Sequence, residues 1–348
     1  MGKIYTLRNL IGIIKDKASL SKAAILSNPT AATLHQAVLR ATTHAPPSAY
    51  DDIHFNSLLV LGDSSRATAS AIITALMDRL HRTRNTIVAL KCLLIIHHII
   101  KRGPFILQDQ LSIFPANGGY NYLKLSAFRD STTAATWGLS AWVRWYARYL
   151  ETLLSTSRVL GYFLCSSSNS MVKEIQEQRI PSFLNLDLIK DMDSLVQLLE
   201  EICKVPDSLS PEDDRLIEEI VKLLYNDYLS TVNEIILRIE ELKHRLNFLN
   251  FGDSVELICS LKRSQDCENR LSELYPMKKA SIDTMRASIQ EVKDAIGMLK
   301  IHREGGRSLG REKMSESARF EERVLSVGDS IHFQSGRFGK NELSTCHD

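Results

Sequence analysis

Three side chains that can bind an anion lie close together near the amino end of the chain: Arg40, His44 and His54. A basic residue that ends one helix and an imidazole that begins the next can converge on an anionic group in the loop between them. His54 follows His44 by ten residues and stands at the start of an apolar run. This spacing predicts a site for an anion such as a lipid headgroup. The alternative is that Arg40 and His54 are ordinary capping and surface residues.

The charge of the amino end supports an anion site. Residues 1–44 contain six Lys or Arg residues against one acidic residue, so they carry +5 in a chain whose total is +2. Lys15, Lys17 and Lys22 lie on and just after the first predicted helix. Basic residues next to an anionic leaflet contribute about 1 kcal/mol each. We therefore expect these three lysines to hold the amino end loosely on an anionic membrane.

The composition is that of a folded protein with an ordinary core. A length of 348 residues allows one large or two medium domains, and an apolar content of 44% is sufficient for an ordinary core. The chain contains no run of eighteen apolar residues, so no membrane span is predicted. The first residues do not resemble a secretion signal. The six cysteines are far apart and contain no Cys-x-x-Cys pair, which favours buried reduced thiols over a metal site. No metal or cofactor is expected.

Helical periodicity dominates the chain, and no segment alternates like a strand, so we predict an all-α protein. Short loops between neighbours indicate antiparallel stacking in a helical solenoid. A break is expected near Asn226 in the longest helix. The predicted helices are Leu7–Leu26, Ala31–Ala41, Ile53–Leu61, Arg66–Arg82, Thr86–Lys101, Leu139–Leu164, Leu186–Cys203, Pro211–Phe248, Ser254–Leu274 and 278–303.

The chain divides by composition into three parts: a first helical half over 1–165, a second over 166–303, and a disordered tail over 304–348. Residues 191–220 contain ten acidic residues against two basic ones, a net charge of −8. This acidic segment predicts a molecule whose basic end faces an anionic surface and whose acidic part is held away from it. The alternative is a simple solvated helix face.

Four ordered segments carry a family resemblance. They are Arg40–His44, Ala89–His98, Tyr122–Asp130 and Trp142–Glu151. In this order the chain resembles the ANTH-domain clathrin assembly proteins, above all the short plant members, over residues 3–275. The resemblance implies a right-handed all-α solenoid of the ENTH/ANTH type that continues into long C-terminal helices, with residues 1–165 as the ENTH-like, lipid-binding half.

The same resemblance implies a function and partners. It implies a non-enzymatic endocytic adaptor that binds phosphoinositides, especially the 4,5-bisphosphate, and takes part in clathrin coat assembly and vesicle budding. Clathrin heavy chain is the implied partner, together with a vesicle SNARE in some members. The implied location is cytoplasmic and peripheral, on plasma-membrane coated pits, clathrin-coated vesicles and the Golgi.

The family's lipid motif reads Lys-Ala-Thr-x-His, a loop, then Lys-x-Lys-His. Arg40 and Thr42 match the first part with His44, and His54 matches the final histidine; Asp51 and Ile53 stand where the two lysines are expected. Each lost ammonium removes a contact of about 1.5–3 kcal/mol where it is desolvated. We therefore predict weakened, salt-sensitive membrane binding with little headgroup selectivity.

Other side chains favour structural roles. His97 and His98 are adjacent, so they point about 100° apart on a helix and are predicted to be buried partners of a neighbouring helix, with no metal. Arg144 and Arg148 are predicted to form internal ion pairs. An aromatic core seam is expected at Trp142, Trp145, Tyr146 and Tyr149. No catalytic motif occurs, and nucleic-acid binding is not expected.

Two further features leave alternatives open. An apolar stripe from Leu229 to Leu249 is expected to pack within the domain; a portion left open could accept a partner helix, as in SNARE binding. This gives the second function considered, a helical protein-interaction module with weakened lipid specificity. Phe183–Asp187 resembles a clathrin-binding peptide but begins with Phe instead of Leu, and packing between helices is the favoured explanation.

Overall fold

The computed structural model describes residues 2–24, 29–45, 49–113, 123–164, 178–207, 215–274 and 279–308. These residues form twelve α-helices and short 3-10 turns, with no strand, so the predicted all-α solenoid is confirmed. The helices are α1 Gly2–Ala24, α2 Pro29–Ala41, α3 Ala49–Gly62, α4 Arg66–Arg82, α5 Thr86–Arg102, α6 Phe105–Ser112, α7 Ala134–Leu160, α8 Asn185–Cys203, α9 Arg215–His244, α10 Phe251–Asp266, α11 Glu268–Leu274 and α12 Lys279–Ser308.

Side-chain caps explain where several helices begin and end. Ser65 and Asn85 accept hydrogen bonds from backbone N–H groups in the first turns of α4 and α5. Thr133 and Thr136 form a reciprocal capping box, which begins α7 five residues before its predicted start. Gly161 ends α7 with φ of 79°, a left-handed conformation that favours glycine.

Helices that are neighbours in sequence pack against one another through most of the solenoid. The series α1 to α4 stacks in order, α4 also contacts α5 and α6, and α5 contacts α7. Helix α8 lies at the centre of the second half, where it packs on α7, α9 and α10. The chain divides into two units, 1–301 and 302–348. Beyond Ser308, the tail predicted over 304–348 lies outside the described residues.

The aromatic seam predicted on α7 is confirmed. Trp142, Trp145, Tyr146 and Tyr149 are all buried, and the Trp145 ring stacks on both tyrosines. The indole of Trp145 donates a hydrogen bond to the carbonyl of Glu201 on α8, with 2.9 Å between N and O. The aromatic seam therefore joins α7 to α8 through the packing of its buried rings and through the hydrogen bond of Trp145.

The break predicted near Asn226 is wrong, because α9 continues without interruption from Arg215 to His244. The adjacent Asp227 is fully buried, and its carboxylate accepts a hydrogen bond from Tyr149 on α7 at 2.6 Å. A polar pair that resembles a helix break in sequence thus marks the point where α9 contacts its neighbours.

Helix α12 closes the carboxyl end of the first unit with one apolar face. Ile282, Met285, Ile289, Val292 and Ile296 follow one another at helical spacing and are buried. The helix reaches Ser308, five residues beyond its predicted end, and α6 was not predicted.

Candidate functional site

A three-residue cluster fixes the loop that follows α2. The Asp16 carboxylate on α1 lies 2.7 Å from Nδ1 of His44 and accepts the backbone N–H of His44 at 2.8 Å. Arg79 on α4 donates to the same carboxylate at 3.3 Å and to the carbonyl of Thr42 at 3.1 Å. Asp16 thereby ties α1 to both the loop and α4.

The electrostatics of Asp16 follow from these contacts. Burial alone would raise the pKa of Asp16, but the hydrogen bonds from His44 and the charges of His44 and Arg79 lower it below its ordinary value. Asp16 therefore stays ionised and keeps His44 turned toward α1. Asp16 is the acidic residue that stands alone among the cations of residues 1–44.

Thr42 has a role in the fold instead of a place at the surface. Its side chain is fully buried, and its hydroxyl donates to the carbonyl of Val38 at 2.7 Å. The next residue, Thr43, accepts a hydrogen bond from the buried ammonium of Lys91 at 3.3 Å. Thr42 and His44 thus shape the loop, and the structure gives a positional reason for both residues without an anion.

Arg40 and His54 lie on either side of this loop. Arg40 is exposed in the last turn of α2, where a cation also interacts favourably with the helix dipole. His54 is half-buried on α3, and Ile53 beside it is exposed. Asp51, the other position at which the motif loses a lysine, has a side chain outside the described residues. That Arg40 and His54 converge on one anion stays a prediction.

Lys15, Lys17 and Lys22 are exposed on α1, together with four large apolar side chains that the sequence did not single out. Leu10 and Ile14 are 55% and 61% exposed, and Ile11 and Ile13 are exposed to a similar degree. Among its described side chains, Gly12, Asp16 and Ala23 are buried, and Ser19 and Leu20 are half-buried. Helix α1 therefore presents its apolar turns outward, followed by lysines within the next turns.

The exposed residues of α1 form two stripes along the helix. Leu10, Ile13 and Ile14 share one stripe with Lys17, and Ile11 shares a second stripe with Lys15 and Lys22. In each stripe the apolar residues come first and the cations follow. The signal in the sequence is the row of small or acidic residues at 12, 16 and 23, which marks the packed side.

The histidine pair of α5 has the structural role that was predicted. His97 is completely buried between Tyr146 and Asp227, at 2.7 and 2.5 Å, and His98 contacts Glu219 at 2.9 Å. Among the described residues, no group of three metal-ligating side chains is suited to a metal ion.

The two arginines of α7 were predicted to form internal ion pairs, and one does. Arg148 binds the buried carboxylate of Glu201 at 2.7 Å. Arg144 instead donates to a backbone carbonyl, that of Phe128, at 2.8 Å. The prediction is therefore right for Arg148 and wrong for Arg144.

The apolar stripe of α9 packs within the domain, as predicted. Val232, Ile239, Leu242, Leu246 and Leu249 are buried, and the remaining members are half-buried against the core.

At Phe183–Asp187 the predicted packing holds for Phe183, which is half-buried against the core, and fails for two leucines. Leu184 is 71% exposed and Leu186 is also exposed, so packing does not explain these two leucines. Arg245 holds the preceding backbone by donating to the carbonyls of Pro181 and Phe183, both at 2.6 Å. No helix among the described residues is long and apolar enough to span a bilayer.

Comparisons with known proteins give the family. The model of the ANTH domain matches residues 33–319. Three Arabidopsis thaliana proteins named as clathrin assembly proteins are similar to the chain. One is 48% identical over 349 residues, covering 97% of this chain and 96% of the relative. Another is 33% identical over 276 residues, 77% of this chain and 79% of the relative. A third is 29% identical over 305 residues, 84% of this chain and 100% of the relative. Since the ANTH match covers most of its length, the chain belongs to the ANTH domain family.

Proposed function

We propose that this protein is a non-enzymatic peripheral adaptor that docks on anionic, phosphoinositide-bearing membranes and takes part in clathrin coat assembly and endocytosis. Membership in the ANTH family and three relatives named as clathrin assembly proteins support the clathrin role. The coated pits of the plasma membrane, clathrin-coated vesicles and the Golgi are the proposed locations.

The outward face of α1 is the observation that carries membrane docking. Exposed isoleucines and a leucine at 10–14 can enter the acyl boundary, while Lys15 and Lys17 stay at headgroup level. This face combines apolar burial, which is insensitive to salt, with charge attraction, which salt weakens. Arg40 and His54 would add a smaller phosphoinositide-dependent part. The 4,5-bisphosphate remains the proposed but weakened ligand, because Asp51 and Ile53 replace two cations.

Liposome sedimentation of the full chain separates these parts. With vesicles of phosphatidylcholine and phosphatidylserine, Lys15→Ala/Lys17→Ala should weaken binding about 30-fold at low salt, from about 1 kcal/mol for each lysine. Ile13→Ser/Ile14→Ser should remove the binding that persists at high salt. A matched control is Lys190→Ala/Lys262→Ala, which removes two exposed lysines from the second half of the chain and should leave binding unchanged.

The headgroup contribution is tested by adding the 4,5-bisphosphate to the same vesicles. Arg40→Ala/His54→Ala should abolish any gain that the bisphosphate gives and leave binding to phosphatidylserine intact. If the α1 variants and the control pair lose vesicle binding to the same extent, docking through α1 is contradicted. Binding that ignores both salt and lipid charge would contradict membrane docking as a whole.

Clathrin heavy chain is the proposed protein partner, and the exposed leucines at 184 and 186 offer it a contact. An exposed apolar pair followed by Asp187 has the chemistry of a short docking peptide, although α8 already begins at Asn185. Leu184→Ser/Leu186→Ser should reduce retention of the protein on immobilised clathrin heavy chain, whereas Phe251→Ser, an equally exposed apolar site, serves as the control. Unchanged retention of the double variant would exclude this contact.

The second function considered, SNARE or other helix binding, has less support. The apolar stripe of α9 that could accept a helix is covered within the domain. Helix α12 lies beside this part of α9, since Ser288 donates to Glu240 at 2.9 Å and Lys243 pairs with Glu291. A partner helix would therefore have to displace α12 before it could bind there.

A further inference from the structure

Two cysteines that are 64 positions apart meet where α8 and α10 end. Cys203 is the last residue of α8, and Cys267 directly follows α10. The thiol of Cys203 donates to the carbonyl of Cys267, with 3.8 Å between S and O. Cys203 is half-buried and Cys267 is buried. Both are free thiols in the structure.

Ion pairs on both sides hold the two sulfurs in register. Before the pair, Arg263 of α10 binds Glu200 of α8 through two bonds of 2.8 Å. After it, Arg270 donates to the carbonyl of Cys203 at 3.4 Å and pairs with Asp207. Arg263 and Arg270 therefore hold the ends of two parallel helices together. A disulfide between the two cysteines would need little movement of the backbone.

The two thiols differ in how readily they lose a proton. Interaction with the neighbouring Cys203 thiol lowers the pKa of Cys267, and the same interaction together with burial raises the pKa of Cys203. The charge of Arg263 also lowers the pKa of Cys267. A thiolate beside a second thiol is the arrangement in which an oxidised sulfur is trapped by its neighbour.

We propose that Cys203 and Cys267 are a redox-modification site that closes to a disulfide on reaction with a peroxide. The thiolate of Cys267 attacks one peroxide oxygen, the O–O bond breaks, and Cys267 becomes a sulfenic acid while hydroxide leaves. The sulfur of Cys203 then attacks the Cys267 sulfur, which forms the S–S bond and expels the sulfenic oxygen. In total the two thiols lose two electrons and two protons, and the peroxide becomes two waters.

The disulfide would join the carboxyl ends of α8 and α10 and close a long loop that contains all of α9. Closing such a loop restricts the unfolded chain, so oxidation should stabilise the second half of the solenoid. This site is independent of membrane docking, since α1 lies in the other half.

The test is oxidation of the folded, full-length protein with hydrogen peroxide, followed by non-reducing peptide mass spectrometry and thermal unfolding. We expect a peptide that links Cys203 to Cys267, lighter by two hydrogens than the reduced pair. The melting temperature should rise by roughly 5 °C or more and return when dithiothreitol is added. Cys203→Ser and Cys267→Ser should each abolish both effects.

Cys259 provides the control, because it is exposed on the same helix as the proposed site. Cys259→Ser should leave the cross-link and the shift in melting temperature intact. Oxidation of Cys259 alone, or a Cys203–Cys267 link that forms only in urea, would overturn the proposal. The last comparison needs only the wild-type chain and so holds even if a serine variant folds poorly.

Discussion

At the scale of single residues, the Asp227 carboxylate is a buried acceptor shared by three side chains. Its buried carboxylate accepts from Lys101 at 2.6 Å and from Tyr149 at 2.6 Å, and lies 2.5 Å from Nε2 of His97. Burial acts to raise the pKa of Asp227, but the charges and hydrogen bonds of His97 and Lys101 outweigh it and hold the pKa well below its usual range. One carboxylate thus joins α5, α7 and α9.

Replacing Asp227 by Asn should lower the free energy of unfolding by about 3–5 kcal/mol, because it removes the charge that balances a buried cation. Urea unfolding measures the loss. Asn226→Ala changes the exposed neighbour and should stay within about 0.5 kcal/mol of the wild type. A loss below about 1 kcal/mol in the Asp227 variant would mean that the network relaxes around the amide.

The Asp16 cluster predicts a pH dependence. The pKa of Asp16 is lowered on folding. The ionised carboxylate therefore contributes fully to the free energy of unfolding above the unfolded-state pKa of about 3.9, and this contribution is lost as the pH falls through the folded-state pKa. The stability gap between wild type and Asp16→Asn should therefore be largest near neutral pH and shrink below about pH 4. Urea unfolding at several pH values measures this gap. A gap that stays constant down to pH 3 would contradict the role of the ionised carboxylate.

At the scale of elements, helix existence could be predicted from apolar periodicity, and helix ends followed where a strong cap was present. The predicted α4 matches the structure at both ends, where Ser65 caps the start. The missed helix, α6, has eight residues after Pro104, too few for a clear period. The start of α7 was predicted late because its first turns carry few apolar residues, although the Thr133 and Thr136 capping box was available as a signal.

The orientation of α1 could not be predicted from periodicity. The large apolar residues at 10, 11, 13 and 14 would ordinarily mark the packed side, yet they are exposed, and Gly12 and Asp16 face the domain. The reason is a close approach: a Cβ at Gly12 would lie 2.7 Å from the Cβ of His44. Only knowledge of where His44 lies reveals that constraint, and the same constraint sets which residues of α1 are exposed for the proposed membrane contact.

Gly12→Ala tests this packing. Alanine favours a helix by about 1 kcal/mol over glycine, but here the methyl group must displace His44 from Asp16, so we expect a net loss of about 1 kcal/mol or more. Gly138→Ala on α7 is the matched control, because nothing lies within 4 Å of its Cβ, and it should stabilise the protein. Thermal unfolding compares the two variants. Stabilisation by both would show that α1 is not held closely against the loop.

At the scale of the whole molecule, the described part of the acidic segment at 191–220 does not form the free negative surface that was predicted. Every acidic residue of this segment within the described ranges is paired with a basic side chain. The pairs are Asp191–Arg238, Asp193–Arg263, Glu200–Arg263, Glu201–Arg148, Asp207–Arg270, Glu218–Lys222 and Glu219–His98. Sequence counting could not show this, because all of these basic partners except Lys222 come from distant parts of the chain. In the proposed membrane docking, orientation would therefore depend on the cations of α1 more than on repulsion from the acidic segment.

Helix α12 is held to the domain by its apolar face. Ile289 is completely buried at the centre of its apolar face, while Met298 on the same helix is 67% exposed. Ile289→Asp places a charge in that contact, so α12 should detach locally before the rest of the chain unfolds. Hydrogen exchange should accelerate about 30-fold or more for residues 282–296 and stay unchanged in α5, whereas Met298→Ser should alter neither helix. If α5 loses protection to the same extent, α12 unfolds with the whole domain, and a partner helix could not take its place beside α9.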